Sequence, residues 1–421
     1  MRGIRGKRVT MVKEGTLIVT IDVGMTSNRG YCSTIDGRDI KPFKFDNTRE
    51  GLDLFWSMLL TSKNRFCCSN VMVGYESTGP YAEPLVHYLM DKPVTIVQVN
   101  PMHTKRIKEL NDNSPLKTDD KDPRVIADVL RLGHALSVVV PEGDAAYLRR
   151  LNNARERHVG ERTALLNQLQ QLVFLIFPEF KTVFKDVTVK TARHILKNYT
   201  TPERIGTLHK DELGEEIRKR SMGKFGVRQA EFLISLARDT IGIKEGVAGI
   251  VLDIHHILVQ LEAVNGFIAE IETEMAKALE RIPCSMRILS MKGLGVVTVA
   301  GLIGEVGDFS KFRTQSEIMK LAGLDLYEIS SGKRKGQKRI SKRGRSLLRK
   351  ILYNAAVGTI RKNGIMCTQY EKLIGRGMKR TPALIVIAKK LLRIIHAMLR
   401  DDRDYIRTYE SPKRVVIKKA A

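Results

Sequence analysis

Residues 16–24 read TLIVTIDVG, a run of apolar and β-branched residues that ends in an aspartate and a glycine. Such a run predicts a buried β-strand. The turn-like residues MTSN (25–28) precede a second apolar run, RGYCSTI (29–35), so the first two strands are predicted to form a hairpin. DIKPFKF (39–45) predicts a third strand. The chain therefore begins its folded part with β-structure.

Helices and strands alternate from there to about Gly133. Helical patterns at 49–60, at 80–90 and from 101 onward are separated by VMVGYE (71–76) and VTIVQV (94–99). Three strands, helix, strand, helix, strand, helix is the order of the ribonuclease-H-like fold, a mixed α/β sheet covered by helices. In that topology the first and fourth strands lie side by side.

The middle of the chain changes to a helical pattern. One helix is predicted from Ala145 to Phe177, before Pro178. A second helix has apolar residues spaced alternately by four and three, which predicts an antiparallel coiled coil with the first. The spaced residues are Ile250, Ile254, Ile257, Leu261, Val264, Ile268, Ile271, Met275, Ala278 and Ile282. The segment 179–246 between the two helices is predicted to be a helical insertion.

The last third is predicted to be helical with glycine turns. MKGLGVVTVAGLIGEVGDF (291–309) resembles half of a helix-hairpin-helix, whose turn amides can hold a DNA phosphate. An ordinary helix that begins at a glycine explains the same residue pattern equally well. The predicted divisions are a basic arm at 1–15, the α/β domain at 16–140, the coiled-coil domain at 141–285, a C-terminal domain at 286–410 and a basic tail at 411–421.

The composition points to a polyanionic partner. The 421 residues include 72 Lys and Arg against 46 Asp and Glu, a net charge of +26, and 43% hydrophobic residues exclude wholesale disorder. Nucleic acid is the first candidate and an anionic membrane surface the second. The five cysteines form no C-x-x-C pair, and we find no signal peptide and no apolar run of bilayer length. We expect a cytoplasmic protein with reduced thiols and no membrane association.

Four carboxylates form the candidate catalytic set. Asp22 and Glu76 end the first and fourth strands, and Asp119 and Asp122 lie three residues apart at a helix start. Four converging carboxylates repel one another unless they share Mg²⁺, and two such ions about 4 Å apart suit phosphoryl transfer. For each residue alone, a strand-end or helix-cap carboxylate is the ordinary explanation. Their neighbours Asp120 and Asp128 are expected to be solvated.

The first motif has a competing interpretation. IDVGMT (21–26) also fits the D-x-G-x-T phosphate loop of actin-like and sugar-kinase ATPases. Those proteins need a second phosphate loop and a Gly-Gly adenosine motif downstream. We find neither in the sequence.

Residues 331–350 hold ten Lys or Arg and no acid. The segment predicts a loop laid along a phosphate backbone, although a solvated basic face is the ordinary explanation of such a run. The candidate nucleic-acid-binding residues are Lys333, Arg334, Lys335, Lys338, Arg339, Lys342, Arg343 and Arg345. A serine among such cations could act as a nucleophile. Composition does not choose among Ser330, Ser331 and Ser341.

These motifs resemble the DEDD-type insertion-sequence transposases, the bridge-RNA-guided serine recombinases related to Piv-like DNA invertases. The resemblance is carried by IDVG, YESTGPY and KTDDKD around the carboxylates. Further motifs are GLGVVTVAGLIGEVGDFSKF, AGL, SSGK and ISKRGRSLLRKILYNAA. It covers about 16–135 and 286–400.

The resemblance implies a RuvC-like N-terminal domain with Mg²⁺ bound by Asp22, Glu76, Asp119 and Asp122. It selects Ser331, seven residues after Leu324, as the nucleophile that forms a 5′-phosphoserine with DNA. It also implies a homodimer or homotetramer, in which the metal site of one protomer faces the serine of another. A non-coding guide RNA would pair with donor and target DNA.

The chain departs from the family pattern at Pro123, Lys292 and Leu326, and the resemblance assigns no role to the insertion. Two alternatives remain at this point. A RuvC-like hydrolytic nuclease or junction resolvase uses the same carboxylates without a covalent intermediate. A non-catalytic nucleic-acid scaffold uses the basic charge alone.

Overall fold

The computed structural model describes residues 12–76, 79–112, 121–328 and 338–406. The chain divides into two compact units, which we call the sheet unit (1–139) and the helical unit (140–421). The strands of the sheet unit are β1 (Thr16–Asp22), β2 (Ser27–Ser33), β3 (Phe43–Asp46), β4 (Asn70–Glu76), β5 (Thr95–Val99) and β6 (Leu136–Ser137). Its helices are α1 (Arg49–Arg65), α2 (Ala82–Met90), α3 (Pro101–Asp112) and α4 (Lys121–Arg131).

The six strands form one mixed sheet in the order β3-β2-β1-β4-β5-β6. β1 pairs antiparallel with β2, which confirms the predicted hairpin, and parallel with β4, which confirms that the first and fourth strands are neighbours. The two-residue strand β6 was not predicted, because it is too short to show an alternating pattern.

Helix α4 covers one face of the sheet at β1 and β4. Its Leu130 packs where Gly74 has no side chain, since a Cβ built at Gly74 would lie 2.4 Å from Leu130 Cδ1. The buried hydroxyl of Thr20 donates a hydrogen bond of 2.5 Å to the carbonyl oxygen of Pro123. These two contacts fix the height and the position of α4 on the sheet.

The helical unit begins with two long helices and the insertion between them. These helices are α5 (Gly143–Ile176), α6 (Phe180–Val183), α7 (Lys190–Tyr199), α8 (Pro202–Gly206), α9 (Lys210–Arg220), α10 (Val227–Arg238) and α11 (Val247–Glu280). Residues at the start of α5 pair with residues at the end of α11, as Asp144 does with Arg281, so the two helices run antiparallel. The insertion is helical, as predicted. The knobs-into-holes packing of a coiled coil stays a prediction.

Helix α11 is long and apolar enough, by length and composition, to cross a membrane. The expectation that no apolar run reaches that length is therefore wrong for this helix. The residues Ile254, Leu261 and Ile268 of α11 are buried in one core with α5 and the insertion. This packing accounts for the apolar stripe that gave the four-three spacing.

Apart from β7, whose two residues are exposed, the remaining elements share a second core with the start of α5 and the end of α11. They are α12 (Ser285–Leu289), α13 (Val296–Val306), α14 (Gln315–Leu321), β7 (Leu326–Tyr327), β8 (Arg339–Ile340), α15 (Ser346–Thr359), α16 (Cys367–Gly375) and α17 (Arg380–Arg400). α12 and α13 flank the glycine-containing turn at the start of the stretch 291–309. Strands β7 and β8 form a two-stranded antiparallel hairpin.

We expect Thr20→Val to weaken the sheet unit, because the shape is kept while the hydrogen bond to Pro123 is removed. The free energy of opening of the β1 amides, measured by native-state hydrogen exchange, should fall by about 1 kcal/mol. Thr16→Val is the matched control, since Thr16 is buried on the same strand and its hydroxyl bonds to no other described residue. Equal losses at both positions would contradict the role of the Thr20 bond.

Candidate active site

Asp22 and Glu76 lie at the carboxyl ends of neighbouring parallel strands. The register of β1 and β4 pairs Ile21 with Tyr75, so the next step along both strands brings Asp22 beside Glu76. Both carboxylates are half-buried. Because alternate side chains share a face, they point to the face on which Thr20 contacts α4. The sheet therefore places two of the predicted residues side by side.

Asp122 reaches the same edge from α4. It lies in the first turn of that helix, next to Pro123, whose carbonyl is bonded to Thr20 two residues before Asp22. Its half-buried carboxylate forms an ion pair with Lys108. The buried Oδ1 atom makes no hydrogen bond of normal geometry with a described residue, although Lys108 approaches it. Three of the four predicted carboxylates are thus brought to one edge of the sheet.

Helix α3 contributes two residues that sequence reasoning missed. The hydroxyl of Thr104 donates a hydrogen bond of 2.7 Å to Oε2 of Glu76, and Lys108 pairs with Asp122. Their spacing of four residues puts both on one face of the helix. That spacing, on a helix that starts directly after the strand beside Glu76, was the signal available in the sequence.

The turn after Asp22 is held by two asparagines. The Gly24 amide donates to Oδ1 of Asn28 at 3.2 Å, and Asn47 Nδ2 donates to the carbonyl oxygens of Gly24 and Met25 at 2.9 Å. The Gly24 amide is therefore engaged inside the turn. A phosphate loop of the actin-like type needs such amides for its ligand.

The packing of α4 against β2 uses two residues near the site. Asp128, which was expected to be solvated, keeps 37% of its side chain exposed and pairs with Arg131 at 2.9 Å. Arg131 also donates to Ser33 Oγ. Asp128 therefore supports the packing of α4 through its contact with Arg131, while Asp120 lies outside the described residues.

On β2, burial and the hydrogen bond to Asp39 raise the pKa of Tyr31.

The donor set suits a hard divalent cation. Carboxylate oxygens are the ligands that Mg²⁺ prefers, and the buried Asp122 Oδ1 lacks a regular hydrogen bond. Within 12–76, 79–112, 121–328 and 338–406, no three His, Cys, Asp or Glu residues form a group close enough to hold a metal. The fourth predicted ligand, Asp119, lies outside those ranges.

The described part of the basic segment (338–350) is bonded to residues 321–325 of the helical unit. Ser330, Ser331, Lys333, Arg334 and Lys335 lie outside the described residues, between β7 and β8. Residues around the AGL motif (322–324) hold this part in place. The Lys342 amide donates to the Gly323 carbonyl, and the Arg345 amide donates to the Leu321 carbonyl. The competing serine, Ser341, is part of this anchor, since its amide donates to the Asp325 carbonyl at 2.7 Å.

The described basic side chains divide into two groups. Lys338, Arg339, Lys342 and Arg343 are exposed. Arg345 is mostly buried and contacts both the carboxylate and the carbonyl oxygen of the buried Glu305. The exposed group is accessible to a ligand, whereas Arg345 has a structural contact.

Comparisons with known proteins agree with this arrangement. A DEDD-type transposase family model matches residues 19–178, and the model described as Transposase IS116/IS110/IS902 family matches residues 285–371. The insertion element IS110 43.6 kDa protein of Streptomyces coelicolor is 24% identical over 91% of this chain and 94% of its own length. The IS116 44.8 kDa protein of Streptomyces clavuligerus is 28% identical over 68% and 72%, respectively.

A relative that is named as a transposase extends the comparison. The transposase for insertion sequence element IS1111A of Coxiella burnetii is 24% identical over 73% of this chain and 72% of its own length. The DEDD model implies the RuvC-like fold that the sheet order displays. The two family models match one after the other along the chain, one on each side of the insertion. The chain belongs to the IS110/IS116 family of insertion-sequence transposases, enzymes that cut and rejoin DNA.

Proposed function

We propose that this transposase cuts and rejoins donor and target DNA through a Mg²⁺-dependent site completed by a serine nucleophile. The observation that carries the proposal is that Asp22 and Glu76 end neighbouring parallel strands, and that α4, which carries Asp122, is bonded to β1 two residues before Asp22. Half-buried carboxylates of one sign are unfavourable together without cations. Their gathering is therefore expected of a site that binds metal.

In this proposal Asp22, Glu76, Asp119 and Asp122 hold the metal, and two ions fit four carboxylates. Bound Mg²⁺ would supply stabilisation of the attacking and leaving oxygens at phosphorus. Thr104 orients Glu76 through its hydrogen bond, which limits the rotation of that carboxylate. Lys108 reduces the repulsion among the carboxylates by its contact with Asp122. Both residues of α3 are therefore positioning residues.

Ser331 is the proposed nucleophile. Its Oγ attacks a DNA phosphorus, the bond from phosphorus to O3′ breaks, and the hydroxyl proton ends on the released O3′. A 3′-hydroxyl of a partner strand then attacks the 5′-phosphoserine and restores the serine, so no ATP is needed. Nearby lysines and arginines stabilise the developing charge. Support comes from the transposase match over 285–371, which includes this position.

The proposal includes a guide RNA and an oligomer. A structured non-coding RNA pairs with donor and target DNA, while the protein, with a net charge of +26, binds the backbones. A homodimer or homotetramer brings the metal site of one protomer to the serine of another. The exposed apolar residues Leu252, Val259 and Phe267 on α11 are compatible with such an assembly.

A hydrolytic RuvC-like nuclease or junction resolvase is the second candidate. The observation that favours it is that the converging carboxylates belong to one unit and need no serine to activate water. It shares every metal ligand with the first proposal. The two candidates differ in whether a protein–DNA bond forms.

We expect Ser331→Ala to reduce recombination by about 10⁴-fold or more, because no other group replaces the attacking hydroxyl. Wild-type protein on a nicked DNA substrate should yield an adduct that survives denaturation, and Ser331→Ala should yield none. Ser330→Ala and Ser341→Ala are the matched controls.

Asp22→Asn should also abolish the adduct while DNA binding persists, since it removes a metal ligand and keeps the shape. Cleavage by Ser331→Ala at the wild-type rate would refute the nucleophile. Cleavage by wild type without any adduct would support the hydrolytic candidate.

The guide is tested separately, with protein expressed beside its native flanking DNA. One discrete structured RNA that maps to the flank should remain bound after a high-salt wash, because base-specific and shape contacts add to charge. Sequencing of the copurified RNA measures this. Heterogeneous RNA that dissociates as salt rises would exclude a dedicated guide.

A further inference from the structure

A cavity of about 600 Å³ opens in the helical unit between the turn before α13 and the end of α15. Its volume lies in the usual range of binding clefts, about 300–1,000 Å³. The lining residues are Lys292, Gly293, Thr298, Asn354, Val357, Gly358, Arg361, Lys362 and Gly364. Three of these are cationic and none is acidic. Nothing in the carboxylate site or in the basic segment accounts for this cavity.

Two of the lining residues are glycines that offer backbone alone. Gly293 has a φ of +102°, and a Cβ there would lie 2.9 Å from the Gly358 carbonyl oxygen. A Cβ at Gly358 would lie 2.5 Å from the Gly293 oxygen. The turn before α13 and the end of α15 therefore touch at a point where no side chain fits.

The cationic rim is held in place by its own loop. The Gly364 amide donates to the Arg361 carbonyl at 2.7 Å, and the Met366 amide donates to that of Thr359 at 3.0 Å. These bonds fold the loop after α15 that carries Arg361 and Lys362. Lys292, in the turn before α13, lines the same cavity.

These three cations differ from other basic residues of the same unit. Arg155, Lys350 and Arg345 each pair with a glutamate. Within the part of the chain that the structure describes, no carboxylate pairs with Lys292, Arg361 or Lys362. Three like charges around one cavity repel each other, and an anion in the cavity removes that repulsion.

The first turn of α13 adds to the same field. Its N-cap is Gly295, which has no side chain to cap the helix, and the first turn contains no acid. Thr298, in that turn, lines the cavity. The positive end of the helix dipole therefore adjoins the three cations.

We propose that this cavity binds a phosphodiester group of a nucleic-acid strand. The lining contains no aromatic residue on which a base could stack, so the contact is with the backbone and independent of sequence. The source of the phosphate, DNA or RNA, rests on the proposed function. The binding chemistry is the same for both.

Thr298→Asp tests the cavity without harming the helix. An acid in the first turn favours the helix dipole, so the melting temperature should not fall. The same carboxylate repels a phosphate, and affinity should drop by about tenfold. Thr298→Asn is the neutral control. The measurement is fluorescence anisotropy with a labelled DNA duplex and a labelled RNA of the same sequence.

A second variant set measures the charge directly. Lys292→Gln, Arg361→Gln and Lys362→Gln together should flatten the plot of log K against log salt by about 0.7–0.9 for each phosphate that the protein no longer neutralises. The control changes Lys372, Arg376 and Lys379 to Gln, which removes the same charge from exposed positions outside the cavity.

The two probes identify the source of the phosphate. A selective decrease in affinity for the RNA probe or for the DNA probe supports the proposal and names the strand. Unchanged affinity in Thr298→Asp, or equal slopes in the cavity triple and its control, would overturn it. Binding is measured without strand transfer, so failure of the serine mechanism would leave these outcomes unaffected.

Discussion

The contact of α4 with the sheet determines where the acidic residues go. The Thr20 hydroxyl binds the Pro123 carbonyl, and Gly74 leaves the space that Leu130 fills. Without these contacts Asp122 would have no fixed relation to the strand ends that carry Asp22 and Glu76. Each carboxylate also loses hydration as it becomes half-buried, which is costly unless charge or hydrogen bonds replace the water. Thr104 and Lys108 supply part of that replacement.

The sheet could be predicted from the sequence because β1 and β4 are buried on both faces. Buried strands are rich in β-branched and apolar residues, and such residues occupy most of 16–24 and 71–76. The exact end of α4 did not have to be predicted, because the position of the helix follows from its contacts with β1 and β4. By contrast, Thr104 and Lys108 are ordinary residues of a polar helix. Their spacing of four residues was the signal in the sequence, and the folded arrangement shows that both contact carboxylates.

The basic segment shows a different limit of sequence reasoning. Arg345 looked the same as Arg343 or Lys342, because no acid lies nearby in sequence. Its partner, Glu305, is forty residues upstream on α13 and is buried when α13 packs against α15. A local count of charge cannot separate an arginine that neutralises a core glutamate from one that faces solvent. Pairing across the fold makes that distinction.

The two units present opposite electrostatic problems. The sheet unit gathers carboxylates that favour cations, while the helical unit gathers cations, at its cavity and basic segment, that favour anions. A nucleic-acid strand satisfies the second unit but is repelled by bare carboxylates of the first. The repulsion ends only when those carboxylates are neutralised. In the proposed function, the basic residues of the helical unit bind the strand, and bound cations would be needed before a phosphate could approach the carboxylates.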